Sequence, residues 1–167
     1  MMKTSILWRA ASLVTVALAL SSQGRAETVA PTRFDGAIND YTAALDPGGP
    51  WHVSGLWSVS LKGDSGRGEF SAALGMVRSE NPERAAHAHH VTVSDGDVTP
   101  LANGFRISGA AVITSNGNVA GFSGSPVDIQ VTGGNTVPFS NVTVTFGGAA
   151  AAHFGDQPLH GIVTQRR

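Results

Sequence analysis

Apolar and polar residues alternate along two neighbouring stretches of this chain. Residues 57–61 read Trp-Ser-Val-Ser-Leu, and residues 70–76 read Phe-Ser-Ala-Ala-Leu-Gly-Met. A two-residue period places successive side chains on opposite faces of an extended chain, so each stretch predicts a β-strand with one buried face. The sequence Gly-Asp-Ser-Gly at 63–66 is typical of a turn, and the three segments together predict a β-hairpin.

Similar stretches continue toward the C-terminus and are separated by glycine-containing turns. Glycine readily adopts the positive φ that a two-residue hairpin turn requires. Three dipeptides fit such turns: Asp95-Gly96, Asn103-Gly104 and Asn116-Gly117. Further strands are expected at 127–132, 139–146 and 159–165. Roughly eight short strands at even spacing predict an all-β fold, either a single antiparallel β-barrel or a two-sheet β-sandwich.

Two segments depart from this pattern. Residues 27–50 contain three prolines and a Gly-Gly pair, and we interpret them as an extended lead-in, with one short helix from Phe34 to Leu45. The run of alanines at 149–152, directly after Gly147-Gly148, predicts a small helix or a flexible crossing. The β-barrel or sandwich domain is therefore expected to span residues 51–167.

The first 26 residues have the features of an export signal. Lys3 and Arg9 provide a positive start, an uncharged apolar run follows, and small residues up to Ala26 offer a cleavage site. The apolar run is about 11 residues long, which is too short to cross a bilayer. We therefore expect an exported protein, periplasmic or extracellular, with no membrane span after the signal is removed.

Composition narrows the chemistry that this chain can perform. Without cysteine it has no disulfides, thiolate metal sites or thiol nucleophiles. The net charge is −1 and no basic stripe is present, so we expect no nucleic-acid partner. The residues after the signal, roughly 140 of them, suffice for one domain with a buried core.

One short segment, His87-Ala88-His89-His90, holds three of the six histidines and leads into a valine-rich strand. Alternation places His87 and His89 on the same face as Val91, and His90 on the opposite face. Two imidazoles on one strand face are about 6.5 Å apart at their Cα atoms, which allows both to reach one ion. Imidazole suits copper and zinc among other transition metals. We therefore predict a metal site, for copper or zinc, that includes His87 and His89.

Such a site needs at least one further ligand from elsewhere in the chain. Our first choice is His160, on the last predicted strand, which a closed sheet would bring near the middle strand. His153 on the preceding loop and then His52 are the next candidates for an additional ligand or a supporting residue, while His90 is expected to have a structural or supporting role. An open coordination position would make the protein a metal-dependent enzyme acting on a small molecule or polysaccharide.

Two other functions fit the same sequence. A metal-free β-barrel enzyme or ligand carrier would use the histidines as acid–base groups or hydrogen-bond partners. A non-catalytic module that binds carbohydrate or protein would use Trp51 or Trp57, whose rings could stack on sugars, or the loop from Ala149 to Pro158. The sequence leaves these alternatives open, together with the oligomeric state.

Overall fold

The computed structural model describes residues 32–42, 49–78, 86–116, 121–133 and 141–167. The predicted signal segment, residues 1–26, lies outside these ranges. Eight antiparallel strands pair in the order in which they occur along the chain, and the last pairs with the first to close a barrel. The strands are β1 (Arg33–Tyr41), β2 (Trp51–Leu61), β3 (Arg67–Arg78), β4 (His87–Leu101), β5 (Gly104–Ser115), β6 (Phe122–Thr132), β7 (Asn141–Phe146) and β8 (Leu159–Arg166).

This architecture confirms the all-β prediction and selects the single barrel over the two-sheet sandwich. The predicted hairpin forms between β2 and β3, with Trp57 opposite Ala72 and Val59 opposite Phe70. A short 3-10 helix, Gly63–Ser65, makes the connection. The turn predicted at Asn103 also forms, between β4 and β5.

The helix predicted from Phe34 is wrong over its described part, which is strand β1. Phe34, Gly36 and Ile38 are buried and their neighbours are more exposed, which is the alternation of a strand with one face in the core. This strand pairs with both β2 and β8. The segment that we interpreted as a lead-in therefore includes the strand that closes the barrel.

The hairpin turn predicted at Asp95-Gly96 is also wrong, because the dipeptide lies within the 15-residue strand β4. The pairing of β4 with β5 is irregular between Thr92 and Asp97, so the dipeptide interrupts the register without reversing the chain. The Arg67 guanidinium binds the carboxylates of Asp95 and Asp97, which fixes this irregular segment against β3. An added Cβ at Gly96 would lie 2.4 Å from an Ile107 methyl carbon, so the close packing requires glycine here.

The barrel interior is filled by the apolar side chains that alternate along each strand. Trp57 illustrates the packing, because its indole lies across Gly36, its partner on β1. An added Cβ at Gly36 would meet that ring at 2.6 Å. Large fully buried side chains include Ile38, Phe70, Leu74, Met76, Ile107, Ile113, Ile129 and Leu159.

A seven-residue helix, α1 (Gly148–Phe154), covers one end of the barrel and confirms the small helix predicted near Ala149. Phe154 and Ala150 are fully buried, and the Phe154 ring stacks on Phe146 of β7 at 4.3 Å between centroids. We call the end formed by α1 and the starts of β2 and β4 the histidine end. No helix in the described ranges has the length and hydropathy needed to cross a bilayer.

Candidate metal centre

Strand β4 carries two histidines into the histidine end of the barrel. His87 and His89 are 8% and 2% exposed, and Val91 and Val93 continue the same buried face. His90 is exposed on the outer surface, as the alternation predicts. The strand thus places two imidazoles one above the other inside the barrel, directly over the apolar core.

Helix α1 brings a third imidazole to the same place. His153 Nε2 lies 3.0 Å from His87 Nε2 and 2.8 Å from His89 Nε2. Within the described ranges these three residues form a group whose ligand atoms all lie within 4.8 Å of one another. Because Phe154 is anchored in the core next to it, His153 is held over the pair on β4.

Hydrogen bonds among the three imidazoles cannot satisfy all three Nε2 atoms at once. A neutral imidazole offers at Nε2 either one N–H or one lone pair, both directed along the ring plane. His153 Nε2 therefore forms at most one well-aligned hydrogen bond, although it faces two Nε2 atoms at contact distance. A cation shared by three lone pairs would satisfy all three nitrogens. Ligand nitrogens around a tetrahedral zinc are about 3.4 Å apart, so the rings would need to separate by about half an ångström.

The other side of the His89 ring is held by β5. Its Nδ1 faces the hydroxyl of Ser115, and the His89 ring also hydrogen-bonds to the backbone of Thr114. An Nδ1–H that donates to an oxygen leaves the lone pair on Nε2, the atom that points at the cluster. Such a partner is typical of histidines that ligate metals, because it fixes both tautomer and ring orientation.

Burial and mutual repulsion favour the neutral forms of His89 and His153. The pKa of His89 is lowered from 6.5 to about 4, first by burial and then by repulsion from the imidazoles of His153 and His87, while the Thr114 hydrogen bond opposes the shift. Burial and repulsion from His87 also lower the pKa of His153. Neutral imidazole is the form that binds metal ions, so these two ligands need to lose no proton at pH 7.

Aromatic side chains surround the three imidazoles. The Trp51 ring meets His87 edge-on at 4.9 Å, Phe154 meets His89 at 4.9 Å, and Phe122 lies 5.6 Å from His153, all between ring centroids. The Arg78 guanidinium lies 4.7 Å from the Trp51 ring centroid. The donors therefore lie among aromatic rings, one of which also contacts a guanidinium.

The structure places the other candidate histidines elsewhere. His160, our first choice for the third ligand, is 65% exposed at its side chain and binds the Asp40 carboxylate at 2.8 Å. The preceding Leu159 occupies the inward position on β8, so alternation turns His160 outward. His52 contacts Asn39 on the outer surface. His153 therefore takes the place that we expected for His160.

His90 has a partner of its own on the outer face. Its Nε2 lies 3.1 Å from the Ser71 hydroxyl on the neighbouring strand. The ring therefore faces away from the cluster and belongs to the surface of the barrel.

Neither tryptophan offers an exposed ring for sugar stacking. Trp57 is in the core, and Trp51 is buried against His87. The sequence did not identify Trp51 as a neighbour of the histidines. It also did not identify Ser115, Phe122 and Phe154, which contact the same cluster. In the sequence these residues are marked only by their positions near strand ends or histidines. Their contacts with the cluster form only when the barrel closes.

No family model, curated protein or solved structure matches this chain.

Proposed function

We propose that this protein is a small exported metalloprotein that binds one transition-metal ion through the Nε2 atoms of His87, His89 and His153. The observation that carries the proposal is the convergence of three Nε2 atoms, which hydrogen bonds among the three imidazoles alone cannot all satisfy. The buried ring of His89, fixed by Ser115, supports it. Copper and zinc are the ions that we expect, because both accept imidazole nitrogen.

Three protein ligands leave a coordination position for water or a small molecule. Catalytic sites typically have this feature, whereas structural zinc sites use four protein ligands. An ion held by these three imidazoles would polarise an oxygen ligand or lower the pKa of a bound water. The protein contributes the fixed imidazoles and the apolar surroundings formed by Trp51, Phe122 and Phe154.

Metal titration of the tag-free protein tests the proposal. After removal of metal with a chelator, we expect calorimetry and elemental analysis to show about one ion per chain. His153→Ala and the double variant His87→Ala/His89→Ala should each weaken binding by at least about 100-fold, or about 2.7 kcal/mol. Circular dichroism would check that each variant remains folded.

The chain provides matched controls for these variants. His90→Ala removes an imidazole from the same strand but from the outer face, and His160→Ala removes one that binds Asp40. Both should bind metal as the unaltered protein does. Failure of the unaltered protein to bind copper or zinc, or equal losses in the control variants, would overturn the proposal.

A further inference from the structure

The donor set of the proposed site carries no negative charge. Within the described ranges the group consists of three imidazoles, with no carboxylate among them. A divalent ion bound there would keep its full charge of two. A cuprous ion would bring a charge of one.

The surroundings make that difference in charge important. His87 and His89 are almost fully buried, and aromatic rings lie against all three imidazoles. The cost of transferring an ion from water into an apolar medium rises with the square of its charge, so a divalent ion pays about four times the cost of a monovalent one of similar size. An uncompensated, desolvated site therefore favours the lower charge.

A soft donor also faces this end of the barrel. Met76 on β3 lies directly opposite His87 on β4 and is fully buried. Residues directly opposed in antiparallel strands share a face and have Cβ atoms about 5 Å apart. The flexible methionine side chain can direct its sulfur toward a neighbouring site. Thioether ligands select Cu(I), whereas zinc in proteins is bound by imidazole, thiolate and carboxylate.

We infer that the ion selected by the three histidines is cuprous copper, with the Met76 thioether as an additional ligand in the coordination position that the three imidazoles leave open. This inference rests on the proposed function and gives it a chemical class: binding of Cu(I) in place of zinc. It concerns binding alone and requires no change in the oxidation state of the ion.

Competition titrations under anaerobic conditions test the selectivity. A chromophoric Cu(I) chelator and a chromophoric Zn(II) chelator would each compete with the metal-free protein for its own ion. We expect Cu(I) to bind at least about 1,000-fold more tightly than Zn(II), equivalent to about 4 kcal/mol. Zn(II) binding as tight as Cu(I) binding would overturn the inference and leave the proposed function standing, whereas binding of neither ion would overturn both.

A methionine variant tests the thioether ligand. Met76→Leu preserves size and apolar character, and we expect it to weaken Cu(I) binding about tenfold with no change in Zn(II) affinity. Leu74→Ile, a similar apolar change opposite His89, is the matched control and should alter neither affinity. X-ray absorption of the Cu(I) protein should show a sulfur neighbour that is lost in Met76→Leu. No sulfur signal, or an unchanged Cu(I) affinity in the variant, would exclude Met76 as a ligand.

Discussion

Acidification should destabilise the metal-free protein well above the pH at which carboxylates titrate. In the folded state the pKa of His89 is about 4, mainly because of burial, compared with 6.5 for an exposed histidine. Between these two values the unfolded chain binds a proton that the folded protein excludes. The free energy of unfolding therefore rises with pH in this window. The contribution linked to His89 is fully present above pH 6.5 and is lost as the pH falls toward 4.

The magnitude follows from the size of the shift. A difference of 2.5 pKa units, from 6.5 to about 4, corresponds to about 3 kcal/mol of unfolding free energy, with a slope of up to about 1.4 kcal/mol per pH unit. The pKa of His153 is lowered too, so its contribution has the same sign. A loss of about 3 kcal/mol is a large part of the stability of a typical domain, which is about 5–15 kcal/mol.

Urea denaturation between pH 4.5 and 7 in the presence of a chelator would measure this slope. The variant His89→Phe removes the buried titrating group, and we expect its slope to fall by about one proton equivalent. His90→Gln, on the outer face of the same strand, should retain the original slope. The reasoning would be refuted by a metal-free protein whose stability stays constant or increases on acidification, or by an unchanged slope in His89→Phe.

Three substitutions test the supports of the histidine end and of the barrel. Phe154→Ala removes the buried anchor of α1, and urea denaturation and metal titration should show a loss of about 3–5 kcal/mol in stability and weaker metal binding. Ser115→Ala removes the hydroxyl facing His89 Nδ1, and calorimetry should show a loss of about tenfold or more in metal affinity in a folded protein. Gly36→Ala would place a Cβ 2.0 Å from the Ile162 carbonyl oxygen, and denaturation should show a loss of about 3 kcal/mol or more, since backbone cannot yield as a side chain can. Wild-type metal affinity in the first two variants, or wild-type stability in the third, would contradict these assignments.

The alternation of side chains predicted much of the fold, because a strand with one buried face has apolar residues at every second position of the sequence. It predicted the β2–β3 hairpin and the inward direction of His87 and His89. It did not predict β1. The inward residues of that strand are Phe34, Gly36 and Ile38, and the glycine interrupts the alternation of apolar and polar side chains. Position 36 accommodates only glycine because the Trp57 ring lies across it. That contact is known only once the two strands are paired.

The third member of the cluster could not be identified from the sequence for a related reason. On β8 the apolar residues Leu159 and Val163 share one face while Ile162 lies on the other, so the sequence does not decide which way His160 points. Ile162 is exposed, and the inward face belongs to Leu159. His153 reaches the cluster through a helix whose position depends on the packing of Phe154 inside the closed barrel.

Packing alone does not account for three imidazoles at this position. Further along β4, the same inward face carries Val91 and Val93, and helix α1 fills its core-facing position with Phe154. Apolar side chains at the three histidine positions would bury no polar group, whereas His153 Nε2 faces two other Nε2 atoms and can form a well-aligned hydrogen bond with only one of them. A poorly satisfied buried polar group costs about 1–3 kcal/mol. A cluster that weakens the barrel in this way is expected where binding requires it, because sites that depart from local packing rules are typically functional. The His89→Phe variant therefore makes a second test: it should stabilise the metal-free protein while it weakens metal binding.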